Sequence, residues 1–233
     1  MSTAVVIGAT GGIGKAVIEK LKGGGRFDRL VALSRSGADI ADAESGRIDI
    51  LDEDLVKNAA KQVGETDFIF VATGLLHDGE YGPEKSKRDL THDDLMRSFA
   101  DNAVGPALVA KHFLPLLPRK GRSVFAALSA RVGSISDNRL GGWYGYRASK
   151  AALNQLIRTL AIEHRRKHPD GVLVALHPGT VDTGLSKPFQ SNVPAEKLFS
   201  PAYAAEKLLG VLDGLGPEQS GRIFAWDGQE IQP

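Results

Sequence analysis

The chain has 233 residues, of which 42% are hydrophobic and 24% are charged, a composition typical of one globular domain over residues 1–233. Its 29 basic and 28 acidic residues leave a formal net charge of +1, which argues against nucleic acid as a partner and favours a small-molecule ligand. The absence of cysteine excludes disulfides, thiolate metal sites and cysteine nucleophiles.

The first apolar run begins after three residues, with no basic flank before it. We therefore interpret this run as a strand and not as a secretory signal. No apolar run approaches the roughly 20 residues that span a bilayer. We expect a cytoplasmic protein with no membrane partner.

Short apolar runs alternate with longer helical patterns along the chain. Strands are predicted at Ala4–Ile7, Leu30–Leu33, Phe68–Ala72, Val124–Leu128, Val172–Leu176 and Ile223–Ala225, with a weaker one near Arg47–Ile50. Helices are predicted at Ile13–Leu21, from Thr91 to Phe113 with a kink at Pro106, from Tyr146 to Pro169, and from Ser200 to Leu212. The alternation predicts a single-domain α/β fold of the Rossmann type, a doubly wound parallel sheet of about seven strands with helices on both faces.

A glycine-rich turn follows the first predicted strand and opens the first predicted helix. It contains Gly8, Thr10, Gly11, Gly12, Ile13 and Gly14. Glycines let the backbone approach a pyrophosphate, and the start of a helix attracts its charge. The spacing differs from the common GxGxxG pattern, so a tight turn with no ligand is the alternative interpretation.

Ser34 and Arg35 stand at the end of the second predicted strand, where an acidic residue would bind the ribose 2′-hydroxyl of NAD. A guanidinium beside hydroxyl groups suits a 2′-phosphate instead. We therefore predict NADP (NADPH) as the cofactor in preference to NAD. A solvated surface arginine is the alternative for Arg35.

Tyr146 and Lys150 lie four residues apart near the start of the strongest predicted helix, so both project from one face. A nearby ammonium favours the anionic form of a phenol, and a positioned phenol can give its proton to a carbonyl that receives a hydride. The pattern alone is also common on helix surfaces, which leaves plain surface packing open.

These features together resemble the short-chain dehydrogenase/reductase family. The landmarks run from the glycine turn through Asp49 and Ile50, Asn102, the region of Ser129, and Tyr146 with Lys150, to Pro178, Gly179, Val181 and Thr183. The segments around Ser129 and Tyr146 are most similar to the branch of C-factor-like proteins and sniffer-type carbonyl reductases.

The resemblance implies a carbonyl/alcohol oxidoreductase with Tyr146, Lys150, Asn102 and a serine at its active site. It also implies that Asp49 contacts the adenine, that Val181 and Thr183 contact the nicotinamide carboxamide, and that Asn102 holds a water linking Lys150 to solvent. Ala72, Thr73 and Gly74 are expected beside the cofactor, and Lys150 is expected to touch the nicotinamide ribose. Family members often form a homodimer or homotetramer, which we expect here.

The sequence departs from the family pattern at three places. Ile7 replaces a threonine, and Val71–Gly74 replaces the motif that usually follows the fourth strand. The catalytic serine aligns with Ala130, so we predict that Ser129 supplies the hydroxyl, with Ser134 as the alternative. This departure keeps open a second function, a nucleotide-binding signalling or regulatory protein with little catalysis. A methyltransferase is a more distant alternative, because it would not need the tyrosine and lysine.

Other candidate residues have simpler explanations. The basic run His164–His168 ends a predicted helix and complements its dipole. His77 and His112 lack the neighbours of a metal ligand set, so no metal is predicted. Five residues could form an apolar substrate wall or only pack a loop, namely Leu75, Leu76, Trp143, Tyr144 and Phe189.

Overall fold

The structure is a computed structural model that describes residues 2–79, 81–191 and 193–233. Its strands are β1 (Thr3–Ile7), β2 (Arg29–Ser34), β3 (Glu44–Arg47), β4 (Phe68–Val71), β5 (Ser123–Leu128), β6 (Gly171–His177), β7 (Thr180–Val181), β8 (Leu198–Phe199) and β9 (Ile223–Ala225). Its α-helices are α1 (Gly12–Gly23), α2 (Glu53–Val63), α3 (His92–Phe99), α4 (Gly105–Phe113), α5 (Tyr144–Arg165) and α6 (Pro201–Gly214).

Seven strands form one parallel sheet in the order β3-β2-β1-β4-β5-β6-β9. The order reverses direction on either side of β1, which is where ligands bind in open parallel sheets, at the carboxyl ends of the strands. Strands β7 and β8 form a separate parallel pair. The predicted fold class is confirmed.

Alternate residues of each strand face two separate apolar cores. Val5 packs with the buried faces of α2, α4 and α5, whereas Val6 packs with α1 and α6. A strand that is covered on both sides is apolar at every position, which explains the unbroken apolar runs in the sequence. The predicted helices on both faces are therefore present.

The third strand lies earlier than predicted. It spans Glu44–Arg47, where a Cβ on Gly46 would lie 2.9 Å from a methyl of Leu33 in the neighbouring strand. Ile48 and Ile50 suggested a strand because they are apolar, but they are buried in the connection that follows β3. Asp49 and Ile50 consequently lie beyond the carboxyl end of the strand.

The helix predicted from Thr91 to Phe113 is divided into α3 and α4 by a π-turn at Ala100–Val104. Pro106 has no N–H to donate to the carbonyl of Asn102, four residues earlier, and its ring would collide with that carbonyl. The chain widens instead of breaking, so the expected kink takes the form of a π-turn that contains Asn102.

No helix among residues 2–79, 81–191 and 193–233 is long and apolar enough to cross a membrane.

Candidate functional site

The turn between β1 and α1 is built from glycines that have no room for a side chain. Gly8 has a φ of 85°, and a Cβ on it would lie 3.0 Å from the carbonyl carbon of Ala72. A Cβ on Gly14 would lie 2.9 Å from the carbonyl carbon of Gly8 and closer still to its oxygen. Helix α1 starts at Gly12 without a side-chain cap, so its positive end is available to an anion.

A cavity of about 220 Å³, the first cavity, opens above this turn. Most of its lining was predicted from the sequence as cofactor contacts, and it consists of Ile7, Gly8, Thr10, Gly11, Ser34, Arg35, Ile48, Asp49, Ile50, Ala72, Thr73, Gly74 and Asp101. The carboxyl ends of three neighbouring strands, β2, β1 and β4, therefore meet the glycine turn at one cavity.

The charged groups of the first cavity include one that sequence reasoning missed. Asp101 lies in the π-turn, and burial raises its pKa, while the nearby Arg35 acts in the opposite direction. Nothing in the local sequence marks this aspartate, because only the fold brings the π-turn to Arg35. The hydroxyl of Ser34 accepts from the N–H of Gly37 at 3.1 Å, so it braces its own turn.

Tyr146 and Lys150 lie on the first turns of α5, and both are buried, with exposed fractions of 8% and 2%. The lysine Nζ lies 5.7 Å from the centre of the tyrosine ring. Burial raises the pKa of Tyr146, with a smaller effect of Tyr81 in the same direction. Burial also lowers the pKa of Lys150 to about 8. The sequence suggested that the lysine would lower the phenol pKa, but desolvation of the phenol is the larger effect in this structure.

Three elements converge on Lys150. Its Nζ donates to the carbonyl of Leu128 at 3.0 Å, at the end of β5. A Cβ on Gly74 would lie 3.5 Å from that Nζ and 3.5 Å from Oδ1 of Asn102. The amide of Asn102 exchanges two hydrogen bonds with the main chain of Leu75, at 2.9 and 2.8 Å. Asn102 therefore fixes the connection after β4 beside the lysine.

The two candidate serines direct their hydroxyls to protein partners. Ser129 Oγ donates to Oδ1 of Asn154 on α5 at 2.7 Å, and Ser134 Oγ donates to the carbonyl of Gln232 at 2.5 Å. Ala130 lines the same cavity as Tyr146. The position that aligns with the family's serine consequently presents a methyl group.

A second cavity of about 270 Å³ lies in front of Tyr146. Its lining includes further predicted residues and several that the sequence did not single out, and it consists of Ile13, Leu76, Ser129, Ala130, Arg131, Val132, Trp143, Tyr146, His177, Pro178, Gly179, Thr180, Val181, Thr183, Leu185, Ser186, Phe189 and Val193. A Cβ on Gly12 would lie 2.6 Å from the methyl of Thr183. The glycine turn thus touches the segment that walls the second cavity.

Aromatic rings form one wall of the second cavity. The Trp143 ring meets the ring of Tyr146 edge-on with centroids 6.2 Å apart, and that of Phe189 with centroids 5.2 Å apart. Leu76 lines the cavity as well, whereas Leu75 and the 39% exposed Tyr144 do not. Trp143, Phe189 and Leu76 therefore lie where the sequence allowed either a substrate wall or loop packing.

His177 also lines the second cavity, and burial lowers its pKa to about 4. No group of three or more metal-ligating side chains occurs within the part of the chain that the structure describes.

The comparisons with known proteins agree with this geometry. The family model described as short chain dehydrogenase matches residues 2–194. A 1-hydroxy-2-glutathionyl-2-methyl-3-butene dehydrogenase from Rhodococcus sp. (strain AD45) is 35% identical over 242 residues, which cover all of both chains. C-signal from Myxococcus xanthus is 39% identical over 144 residues, 61% of this chain and 81% of that protein.

Among solved structures, the NADPH-bound carbonyl reductase from chicken fatty liver superposes with a TM-score of 0.86 at 21% sequence identity. The match covers 100% of this chain and 94% of that one, and at this identity it shows the common fold. The resemblance to C-factor-like proteins and carbonyl reductases is confirmed. The chain belongs to the short-chain dehydrogenase family and is an oxidoreductase of that family.

Proposed function

We propose that the chain transfers a hydride between NADP(H) and a small carbonyl or alcohol substrate, with Tyr146 as the general acid and base. One observation carries the proposal. The buried phenol of Tyr146 lies in the wall of the second cavity, one helical turn from Lys150, and the glycine turn adjoins the same cavity.

The residues of the first cavity suit NADP(H). Bare glycine backbone at Gly8 and Gly14 leaves room for a pyrophosphate at the positive end of α1. Arg35, which lines this cavity, is the group that would neutralise a 2′-phosphate. Asp49 would contact the adenine, and Thr183 would lie near the nicotinamide. When bound, the nicotinamide supplies or accepts the hydride.

Tyr146 holds the proton of the reaction. The pKa of an ordinary phenol is about 10 and burial raises that of Tyr146, so the phenol is neutral at physiological pH and can donate to the oxygen of a carbonyl as negative charge develops there. Lys150, with a pKa of about 8, is largely cationic at pH 7. The hydrogen bond from its Nζ to the carbonyl of Leu128 orients the side chain. Lys150 would bind the ribose hydroxyls of the cofactor and would relay a proton past Asn102.

A second hydroxyl would steady the same substrate oxygen. Ser129 can serve only if its hydroxyl leaves Asn154, because it donates to that side chain at 2.7 Å. Ser129→Ala is expected to lower turnover if the hydroxyl makes this change. Equal turnover of Ser129→Ala and the unmodified protein would assign all proton chemistry to Tyr146.

The walls of the second cavity suit a substrate with an apolar group next to the reacting carbon. Trp143, Phe189 and Leu185 supply this surface. The name of the Rhodococcus relative describes an alcohol that carries a glutathionyl group. Alcohols of this class, with aliphatic and aromatic aldehydes and ketones, are therefore the substrates to test first.

Tyr146→Phe tests the proposal. It removes the proton donor and should lower kcat by about 10²–10⁴-fold, while NADPH binding changes little because the ring remains. Tyr144→Phe, on the same helix but 39% exposed, is the matched control and should retain activity. Turnover is followed by the absorbance of NADPH, and an active Tyr146→Phe variant would contradict the mechanism.

A second candidate function is a nucleotide-binding signalling or regulatory protein with little catalysis. The methyl group of Ala130 in the cavity and the similarity to C-signal favour it. Tight NADPH binding without turnover of any compound in the substrate panel would support this alternative.

The cytoplasmic location and the homodimer or homotetramer expected from the sequence remain proposals. Size-exclusion chromatography with light scattering measures the assembly directly.

A further inference from the structure

The start of α5 has no side-chain cap of its own. Trp143 occupies the N-cap position, and its side chain accepts no hydrogen bond from the helix. Its backbone has φ 53° and ψ 45°, a left-handed conformation that a bulky residue rarely adopts. Gly141 and Gly142 also have positive φ values, of 64° and 63°. Tyr146 therefore follows a strained turn, at a helix start that has no side-chain cap of its own.

A distant residue supplies the missing contacts. Glu84 is 4% exposed, and its carboxylate Oε2 accepts from the N–H of Gly145 at 3.1 Å. Its main-chain carbonyl accepts from the N–H of Trp143 at 2.6 Å. One residue thus binds both N–H groups that flank Tyr144, at the point where the strained turn becomes a helix.

The fit between Glu84 and the helix is close. A Cβ on Gly145 would lie 2.8 Å from Oε1 of Glu84. The absence of a side chain at Gly145 therefore leaves room for the carboxylate at the helix end. Oε1 is buried and has no hydrogen-bond partner within the described residues. The positive end of α5 is the feature that favours a buried carboxylate there.

The residues that Glu84 contacts lie at the edge of the second cavity. Trp143 provides its aromatic wall, and Tyr146 follows Gly145 directly. Arg147, the next residue of α5, donates to the carbonyls of Gly141 and Gly142 at 3.2 and 3.0 Å, which braces the same turn from the other side.

From these contacts we infer that Glu84 is a positioning residue for the reaction: it caps α5 from outside the helix and so fixes both the phenol of Tyr146 and the wall formed by Trp143. This inference rests on the proposed function for its kinetic consequence, but the position of Trp143 can be measured without turnover. Glu84 does not line the first cavity, so cofactor binding is not part of its role.

The test compares three variants in a Trp226→Phe background, which leaves Trp143 as the only tryptophan. Glu84→Ala removes the carboxylate that accepts from Gly145 and keeps the main-chain carbonyl that accepts from Trp143, whereas Glu84→Gln keeps a side-chain oxygen that can accept from Gly145. Asp89→Ala is the matched control, because Asp89 braces the segment of Glu84 by accepting from the N–H groups of Lys85 and Ser86 at 3.1 and 2.9 Å.

We expect Glu84→Ala to lower kcat tenfold or more, to raise KM, and to shift the fluorescence emission of Trp143 to longer wavelength. NADPH affinity should change less than threefold. Glu84→Gln and Asp89→Ala should keep kcat within threefold and leave the emission unchanged. If Glu84→Ala does not fold, Glu84→Asp replaces it with the same expectation, because its carboxylate is one methylene too short for Gly145.

Unchanged kcat and emission in Glu84→Ala would overturn the inference. An equal loss in Asp89→Ala would also overturn it, since the order of the segment and not the cap would then be responsible. If the unmodified protein turns over no substrate, the proposed function fails separately, and the emission of Trp143 alone decides the inference.

Discussion

Replacing Gly14 by alanine tests whether close backbone contacts fix the conformation of the glycine turn. A Cβ there would lie 2.9 Å from the carbonyl carbon of Gly8 and 3.2 Å from Cα of Ala9, where ordinary contacts begin at 3.4 Å. The obstacle is main chain, so it cannot rotate away. Helix α1 must therefore move off β1.

The expected magnitude follows from two opposing effects. Alanine in a helix is favoured over glycine by about 1 kcal/mol, whereas overpacking of this kind costs about 3 kcal/mol. The net loss of about 2 kcal/mol corresponds to a Tm lower by about 4–8 °C for a chain of this length. NADPH affinity should fall at least tenfold, because the start of α1 no longer meets the pyrophosphate.

Gly23→Ala is the control, since Gly23 ends the same helix and a Cβ on it would meet nothing within 4 Å. Its Tm should rise by about 1–4 °C, with unchanged NADPH affinity. Thermal unfolding and the quenching of tryptophan fluorescence by NADPH provide the two measurements. If Gly14→Ala and Gly23→Ala gave the same Tm and the same affinity, the backbone contact would not define the site.

Three further predictions follow. Ala130→Ser places a hydroxyl in the second cavity and should raise kcat about tenfold or more; a steady-state assay that finds no gain would mean that the missing serine does not limit the reaction. Arg35→Asp should shift the preference from NADPH toward NADH, as the ratio of kcat/KM for the two cofactors, and an unchanged ratio would remove Arg35 from recognition. His177 has a pKa of about 4 when folded and about 6.5 when unfolded, so only the unfolded chain takes up its proton between these values, and stability falls as the pH falls through this window. The protonation of His177 should lower the free energy of unfolding by about 2 kcal/mol between pH 6.5 and pH 5, as measured by urea unfolding. His177→Asn should reduce this loss, whereas substitution of an exposed histidine in His92→Asn should not. Equal losses in the two variants would contradict the assignment to His177.

The fold was predictable because its signals are local. Buried strands such as β1 and β5 are unbroken apolar runs, and the Gly8–Gly14 turn and the Tyr146–Lys150 spacing are short patterns. The sequence prediction placed β3 too late in the chain because it took the apolar Ile48 and Ile50 for strand residues. These two side chains pack in the core and do not pair in the sheet, a distinction that a single sequence does not contain.

The candidate site was less predictable where its contacts are distant in sequence. Glu84 contacts Gly145 across 61 residues, and Asp101 lies near Arg35 only because of the fold. The pKa of Tyr146 also depends on burial, which the spacing of two side chains does not determine. Local patterns therefore indicated the candidate reacting groups but not the distant residues that contact them.

The short pair of β7 and β8 separates one wall of the second cavity from the helix that carries Tyr146 and Lys150. The pair joins Thr180 to Leu198 and Val181 to Phe199, and so closes the loop that carries Leu185 and Phe189. Because both ends are tied to each other, the part of the loop around Leu185 and Phe189 can vary in sequence without disturbing the main sheet, whereas Thr183 stays in contact with the glycine turn. A change of the residues around Leu185 and Phe189 would therefore alter the wall of the second cavity while leaving Tyr146 and Lys150 on α5 in place.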